Sequence, residues 1–162
     1  MSLSQELDAI QRWVWGAAQL ASYRLTEAPA QLARPVIVWE APSRAKARNL
    51  GRWQYTNKVT QFGTLYVASV NQLIQYQDAL ETDLNEEYRD RHKLINQLPI
   101  YDQAGPTGVI LGQLREVQLH FENAKGLDIP IRVEYEATYK RNRTVYPAAT
   151  KVVTKVVMPG MP

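Results

Sequence analysis

The chain has 162 residues, of which 45% are apolar and 22% charged, a composition that indicates one ordinary globular domain. The net charge of +3 is too small to indicate nucleic acid by itself, and the absence of cysteine excludes disulfides, zinc-thiolate sites and a cysteine nucleophile. The polar start MSLSQELDAIQ lacks the features of a signal peptide and no apolar stretch reaches the ~18 residues of a membrane helix, so we expect a soluble protein.

The first half of the chain predicts a helix followed by two strands. Apolar residues recur at intervals of three and four between residues 3 and 23, which predicts an amphipathic helix with Glu6 in its first turn. PVIVWE, residues 35–40, predicts a short strand after a proline. Residues 53–68 are rich in β-formers and predict a second strand, with Gly63 as a candidate bulge or bend.

A second helix is predicted from about residue 70 to residue 96. Ser69 and Gln72 have the spacing of a capping box, and Pro99 ends the helix. The outer face is acidic and carries Asp78, Glu81, Asp83, Glu86, Glu87 and Asp90. We interpret these acids as a solvated face, because catalytic carboxylates need a cleft that shifts their pKa values and the pattern shows no sign of one.

Two long strands follow. IPIRVEYEATYKR, residues 129–141, alternates apolar and polar side chains, so one face is buried and the other is wet. Residues 109–122 predict its antiparallel partner, with the turn at Lys125-Gly126. Hairpin strands with helices on one face give an α+β domain. The strand is about twice the usual length, so we expect it to serve a neighbouring subunit as well as its own core.

The segment APSRAKARNLGRW between the first two strands is basic and lacks acids. It predicts a loop or a projecting hairpin tip, and its charged residues are Arg44, Lys46, Arg48 and Arg52. Three interpretations stay open. The segment is a solvated loop, or it pairs with an acidic surface of another subunit such as Glu81 and Glu86, or it binds nucleic acid with Trp53 and Tyr55 as aromatic platforms.

The chain is predicted to form one domain over residues 1–141 and an extended tail over residues 142–162. The tail has no acid, and its TKVVTKVV stretch is β-prone without a partner strand in sight. A free strand invites pairing with another chain. We therefore predict that Lys151, Val152 and Val153 contact a neighbouring subunit or partner.

No catalytic motif is present. The chain lacks G-x-S-x-G, the P-loop and G-x-G-x-x-G, and neither of its two histidines, His92 and His120, has a carboxylate at metal-ligand spacing. We predict that the protein is not an enzyme and that it holds no metal or cofactor.

In size and element order, residues 3–141 resemble the tail terminator and tail-completion proteins of long-tailed bacteriophages. The features that carry the resemblance are the amphipathic first helix (Leu7, Ile10, Val14), the PVIVWE strand, the basic connection, the helix capped at Ser69 and the final long hairpin. These features form no signature motif, and no site residue carries over from that family.

The resemblance implies a structural virion protein, assembled in the host cytoplasm, that forms a homo-oligomeric ring of six subunits. Such a ring caps the tail tube and joins it to the head or neck. The implied partners are other copies of the chain, the tail tube protein and a neck or connector protein, with genome DNA passing through the ring without specific binding. A membrane is not among them. The alternatives are a basic nucleic-acid-binding adaptor, another neck component, and a small enzyme or ligand-binding module with a concave pocket.

Overall fold

The computed structural model describes residues 2–89, 92–102, 109–123 and 126–140. They form one seven-stranded sheet, two α-helices and a short 3-10 turn at Leu25–Glu27. The helices are α1 (Leu3–Ala18) and α2 (Val70–Leu84), and the strands are β1 (Ser22–Arg24), β2 (Val36–Trp39), β3 (Ser43–Asn49), β4 (Gln54–Tyr66), β5 (Leu98–Tyr101), β6 (Ile110–Phe121) and β7 (Asp128–Lys140). This is the predicted α+β architecture with a long hairpin near the C-terminus.

The pairing of β4 with β7 forms the centre of the sheet. The two strands are antiparallel along their whole length, from Gln54 opposite Lys140 to Tyr66 opposite Asp128. The strand order is β1-β2-β4-β7-β6-β5. Both β2 and β3 pair with the same edge of β4: β3 pairs with its first half and β2 with its last residues. β7 is paired with β4 along its whole length and with β6 from Ile131 to Glu136, so much of its length is used within the chain, and the expectation that it also serves a neighbour stays a prediction.

The core lies between the sheet and the two helices. The side chains of β7 alternate as predicted, and those at Val133 and Tyr135 are at most 2% exposed. The apolar stripe of α1 packs into the same cluster through Leu7, Ile10 and Val14. The capping box at Ser2 and Gln5 fixes the start of α1. The helices therefore cover the apolar face of the last hairpin, as the sequence predicts.

Gly63 has a packing role. Its pairing with Ile131 continues the register of β4 without a shift, so the predicted bulge is absent from this position. A Cβ atom at Gly63 would lie 2.7 Å from Cε3 of Trp39, which is 1% exposed. The missing side chain makes room for the buried indole.

The first helix is shorter than predicted. It ends at Ala18, and Gln19 adopts a left-handed conformation at its C-cap with φ 53°. The chain then turns, and residues 22–24 form β1, which runs parallel to β2. The apolar spacing continues to residue 23 although the helix does not. Leu20 lies beyond the end of the helix and is still buried, with 1% exposure.

The second helix is also shorter than the predicted range of 70–96. It begins at the predicted cap, Ser69, but ends at Leu84. The chain then folds back, with a bridge between Tyr88 and Lys93, and enters the short strand β5. Pro99 lies inside β5, which is at the edge of the sheet where a missing N–H is tolerated.

The final hairpin is antiparallel, as predicted, but its register contains a bulge. The register of β6 on β7 shifts between Arg115 and Gln118, and Glu116 within the shift has φ 51°. At the predicted turn, Gly126 has φ 139°, a conformation that glycine adopts easily, while Lys125 lies outside the described residues. Neither helix in the described part of the chain is long and apolar enough to cross a membrane.

The two faces of β7 should respond differently to substitution. Val133→Asp should lower the free energy of unfolding by more than about 4 kcal/mol, because an unpaired charge would enter the core at a residue with 0% exposure. Glu134→Ala on the other face should cost no more than about 1 kcal/mol, because it removes only ion pairs at the surface. Urea unfolding measures both, and equal effects would mean that the faces are wrongly assigned.

Candidate assembly surfaces

The basic segment forms a strand at the sheet edge rather than a loop. All seven residues of β3 are exposed. Arg44 pairs with Val59 and Lys46 with Asn57, whose side chains are buried on the helix side of the sheet. The register shifts after Lys46, so Arg48 belongs to the outer side, where its guanidinium lies 3.7 Å from the Glu136 carboxylate. One irregularity thus places the basic side chains on both faces of the edge.

A turn at residues 50–53 connects β3 to β4, and we call this turn the hairpin tip. Leu50 N–H donates to the carbonyl of Gln54 at 2.9 Å, and Gly51 has φ 102°, which favours glycine. Leu50 is 43% exposed and Trp53 is 36% exposed. The Arg52 guanidinium lies over the Trp53 ring, 5.0 Å from its centroid. The tip is therefore both apolar and cationic.

The predicted acidic residues form a surface that runs from α2 into the following segment. Its exposed members, which we call the acidic surface, are Asp78, Glu81, Glu86 and Glu87. Glu86 and Glu87 lie beyond the end of the helix, contrary to the prediction. Asp83 is turned toward α1, where its Oδ2 accepts a hydrogen bond of 2.8 Å from Trp13 Nε1. Asp90 is outside the described residues.

The basic and acidic surfaces do not meet within one subunit. β3 lies at one edge of the sheet, whereas α2 packs against α1 and β6, toward the other edge. Within the described ranges, no ion pair joins Arg44, Lys46, Arg48 or Arg52 to Glu81 or Glu86. Lys151, Val152 and Val153 lie outside these ranges. The basic strand and the acidic surface are thus separated within the described part of the subunit.

An apolar groove, which the sequence does not predict, lies between α1, the end of α2 and β5. Its volume is about 230 Å³. Gly16, Ala17, Trp15, Tyr88 and Pro99 are among the residues that line it. A Cβ atom at Gly16 would meet nothing within 4 Å, so there is open space beside this glycine. Trp15 is 54% exposed beside it.

Two charged side chains that line the apolar groove are engaged by neighbouring residues. Lys93 is 6% exposed, and its Nζ donates to the carbonyls of Leu84 at 3.2 Å and Glu86 at 2.7 Å, where a cation suits the end of α2. Arg12 lies over the Tyr101 ring, 4.7 Å from the centroid. The Tyr88 hydroxyl donates to the Glu86 carboxylate, which brings the acidic surface to the rim of the apolar groove.

A second concavity of about 320 Å³ lies on the outer face of the sheet. It is polar and its charged lining residues are Arg48, Lys58, Glu116, Glu134 and Glu136. Small-molecule sites are usually apolar with a few polar groups. This concavity has the opposite character, and opposite charges within it lie close together, so we do not assign it a ligand.

The base of the basic edge is anchored by a buried carboxyl group. Glu6 is 0% exposed, and its Oε1 accepts a hydrogen bond of 2.6 Å from the Tyr139 hydroxyl. Burial raises the pKa of Glu6 above its usual range, against the opposing effects of that hydrogen bond and of the Arg44 charge. Burial also raises the pKa values of the Tyr135 and Tyr139 phenols. Glu6 lies in the first turn of α1, as predicted, and its carboxyl group is also part of the core.

The two histidines lie on different elements. His92 is in the turn after α2, and His120 is on the outer face of β6, where its Nε2 is 3.5 Å from Glu134 Oε2. Among the residues that the structure describes, no group of three or more His, Cys, Asp or Glu side chains could hold a metal ion.

No protein-family model matches the chain, and no curated protein is significantly similar to it in sequence.

The buried carboxyl group predicts a specific pH dependence. Because the folded state raises the pKa of Glu6, it binds this proton more tightly than the unfolded chain, so its contribution to stability is lost as pH rises from about the ordinary value of 4.5 through the raised pKa. Glu6→Gln should remove this loss, since the amide oxygen still accepts from Tyr139. The stability gained by Glu6→Gln over the native chain should grow with pH, as measured by denaturant unfolding across a pH series.

Glu87→Gln, at an exposed position, is the control and should follow the native chain at every pH. If Glu6→Gln were less stable than the native chain at pH 7, the carboxylate would be stabilised by the fold, contrary to this account.

Proposed function

We propose that this protein is a structural subunit of a homo-oligomeric ring that caps a phage tail tube and joins it to the head or neck. The observation that carries the proposal is the separation of two opposite charged surfaces, a basic strand at one sheet edge and an acidic surface toward the other. A surface that complements a different surface of the same chain gives head-to-tail contacts, and these close into a ring when the rotation allows.

The phage assignment rests on the resemblance in element order and size. Under this proposal the ring has six subunits, and its two rims contact the tail tube protein and a neck or connector protein. The ring belongs to the virion after assembly in the host cytoplasm, and genome DNA passes through its centre without sequence-specific contacts. Electron microscopy of the purified chain, together with its mass in solution, tests for a ring with an open centre.

The charged surfaces predict how self-association depends on salt. Lys46→Glu with Arg52→Glu should weaken self-association strongly at low ionic strength. The effect should be small at about 1 M salt, where the screening length is about 3 Å. Adding Glu81→Lys and Glu86→Lys should restore part of the association, because the charges are then exchanged rather than removed. Sedimentation velocity over a concentration series measures each variant.

Lys58→Glu with Arg115→Glu is the matched control. It changes the net charge by the same amount but lies on exposed positions of the outer sheet face. An equal loss of association in this control would assign the effect to net charge. Association of the Lys46/Arg52 variant at native strength and low salt would contradict the charged contact.

A nucleic-acid-binding adaptor is the second candidate, and the geometry of the hairpin tip favours it. Trp53 is partly exposed among basic residues, with Arg52 stacked on its ring, and a cationic aromatic group can stack on a base. The ring proposal expects only non-specific binding, with a dissociation constant of about 10⁻⁶ M or weaker at physiological salt. Fluorescence anisotropy with single-stranded and duplex DNA measures it. Binding that is much tighter and lost in Trp53→Ala would favour the adaptor.

A further inference from the structure

The apolar groove has the size of an anchor site rather than of a ligand site. At about 230 Å³ it is smaller than the ~300–1,000 Å³ of typical small-molecule pockets. Its lining includes the small residues Gly16 and Ala17, and the open space beside Gly16 allows close approach. Protein interfaces commonly concentrate their binding energy where one or two large side chains enter such a pocket.

The hairpin tip has the complementary chemistry. It presents Leu50 and Trp53 as apolar groups, with the cation of Arg52 beside them. The apolar groove is bordered by the carboxylate of Glu86, bound to Tyr88 at the rim, and by Asp83. The two basic residues of the groove are engaged inside it, since Arg12 lies over Tyr101 and Lys93 bonds carbonyl oxygens. In a contact between tip and groove, apolar groups would meet apolar groups and a cation would meet carboxylates.

The tip and the groove of one subunit lie at opposite edges of the sheet. Across this half of the sheet the strand order is β3-β4-β7-β6-β5, so the tip is at one edge and β5, which lines the groove, is at the other. Three strand spacings of about 4.8 Å separate β4 from β5. A short turn closed at its base cannot cross that distance to its own groove, so any tip that enters the groove belongs to another copy.

We propose that the hairpin tip of one copy docks in the apolar groove of the next, with Leu50 and Trp53 against Gly16 and Ala17 and with Arg52 beside Glu86. This inference rests on the proposed ring, because it names the contact through which neighbouring subunits join. The tip alone is small for a stable interface, which typically buries about 1,600 Å². The β3 edge and the acidic surface lie beside the tip and the groove, and they extend the contact.

Cross-linking between two differently tagged single-cysteine chains tests the contact directly, since the native chain has no cysteine. One chain carries Leu50→Cys and the other Ala17→Cys, and a short bismaleimide reagent joins neighbouring thiols. We expect a heterodimeric product from this pair. Replacing the first chain with Lys58→Cys, on the outer face of the sheet, should abolish the product.

Filling the groove tests the same contact without a reagent. Gly16→Leu places a side chain into open space and replaces a helical glycine, so the melting temperature should not fall. Self-association should weaken about tenfold or more, as expected when an anchor is excluded. Asn71→Leu, exposed at the other end of α2, is the control and should leave association unchanged.

The outcomes separate this inference from the proposed ring. A ring by electron microscopy, with no more product from the Leu50/Ala17 pair than from the Lys58/Ala17 pair, would overturn the tip-in-groove contact and leave the ring standing. A selective product with a closed pair or an open filament would support the contact and overturn the ring. Native association of Gly16→Leu would also overturn the contact.

Discussion

The uninterrupted pairing of β4 with β7 is the constraint on which the rest of the structure depends. It is a non-local contact between strands on either side of α2, β5 and β6 in the sequence, so it closes the chain around the core. Because the side-chain period of a strand is two, this single register decides which residues of both strands face the helices. A slip of one residue would expose Val133 and Tyr135 and bury Glu134.

The alternation in β7 was predictable because it is a local pattern. Every second residue from Ile129 to Tyr139 is buried, and the capping residues Ser69 and Gln72 mark the start of α2 correctly. The helix ends were less predictable, since apolar spacing alone cannot show where a backbone reverses. After Leu84 the sequence still has apolar residues at helical intervals, but the helix has ended. The side chain of Lys93 is buried there, and its ammonium group donates to backbone carbonyls. The buried Glu6 did leave a local signal, because it lies on the stripe between Leu3 and Ile10.

The candidate contact surfaces could be predicted only in part. The basic and acidic residues were evident from composition, but the register shift after Lys46, which divides the basic side chains between two faces, depends on pairing with β4. The apolar groove had no local signal, since α1, the turn at Tyr88 and β5 contribute to it from separate parts of the chain. Such a site exists only after long-range packing has brought these segments together.

The four predicted basic residues differ in how firmly the fold holds them. Arg44 lies over the Tyr139 ring, 5.0 Å from its centroid, and the hydroxyl of that tyrosine bonds the buried Glu6. Its positive charge favours the ionised form of Glu6 and so opposes the effect of burial on the pKa of that carboxyl group. Arg48 lies beside Glu136. Both side chains therefore make contacts within their own subunit. Lys46 lies between them on the exposed strand β3 and makes no ion pair with a described acidic side chain, which makes it the better candidate for contact with a second copy.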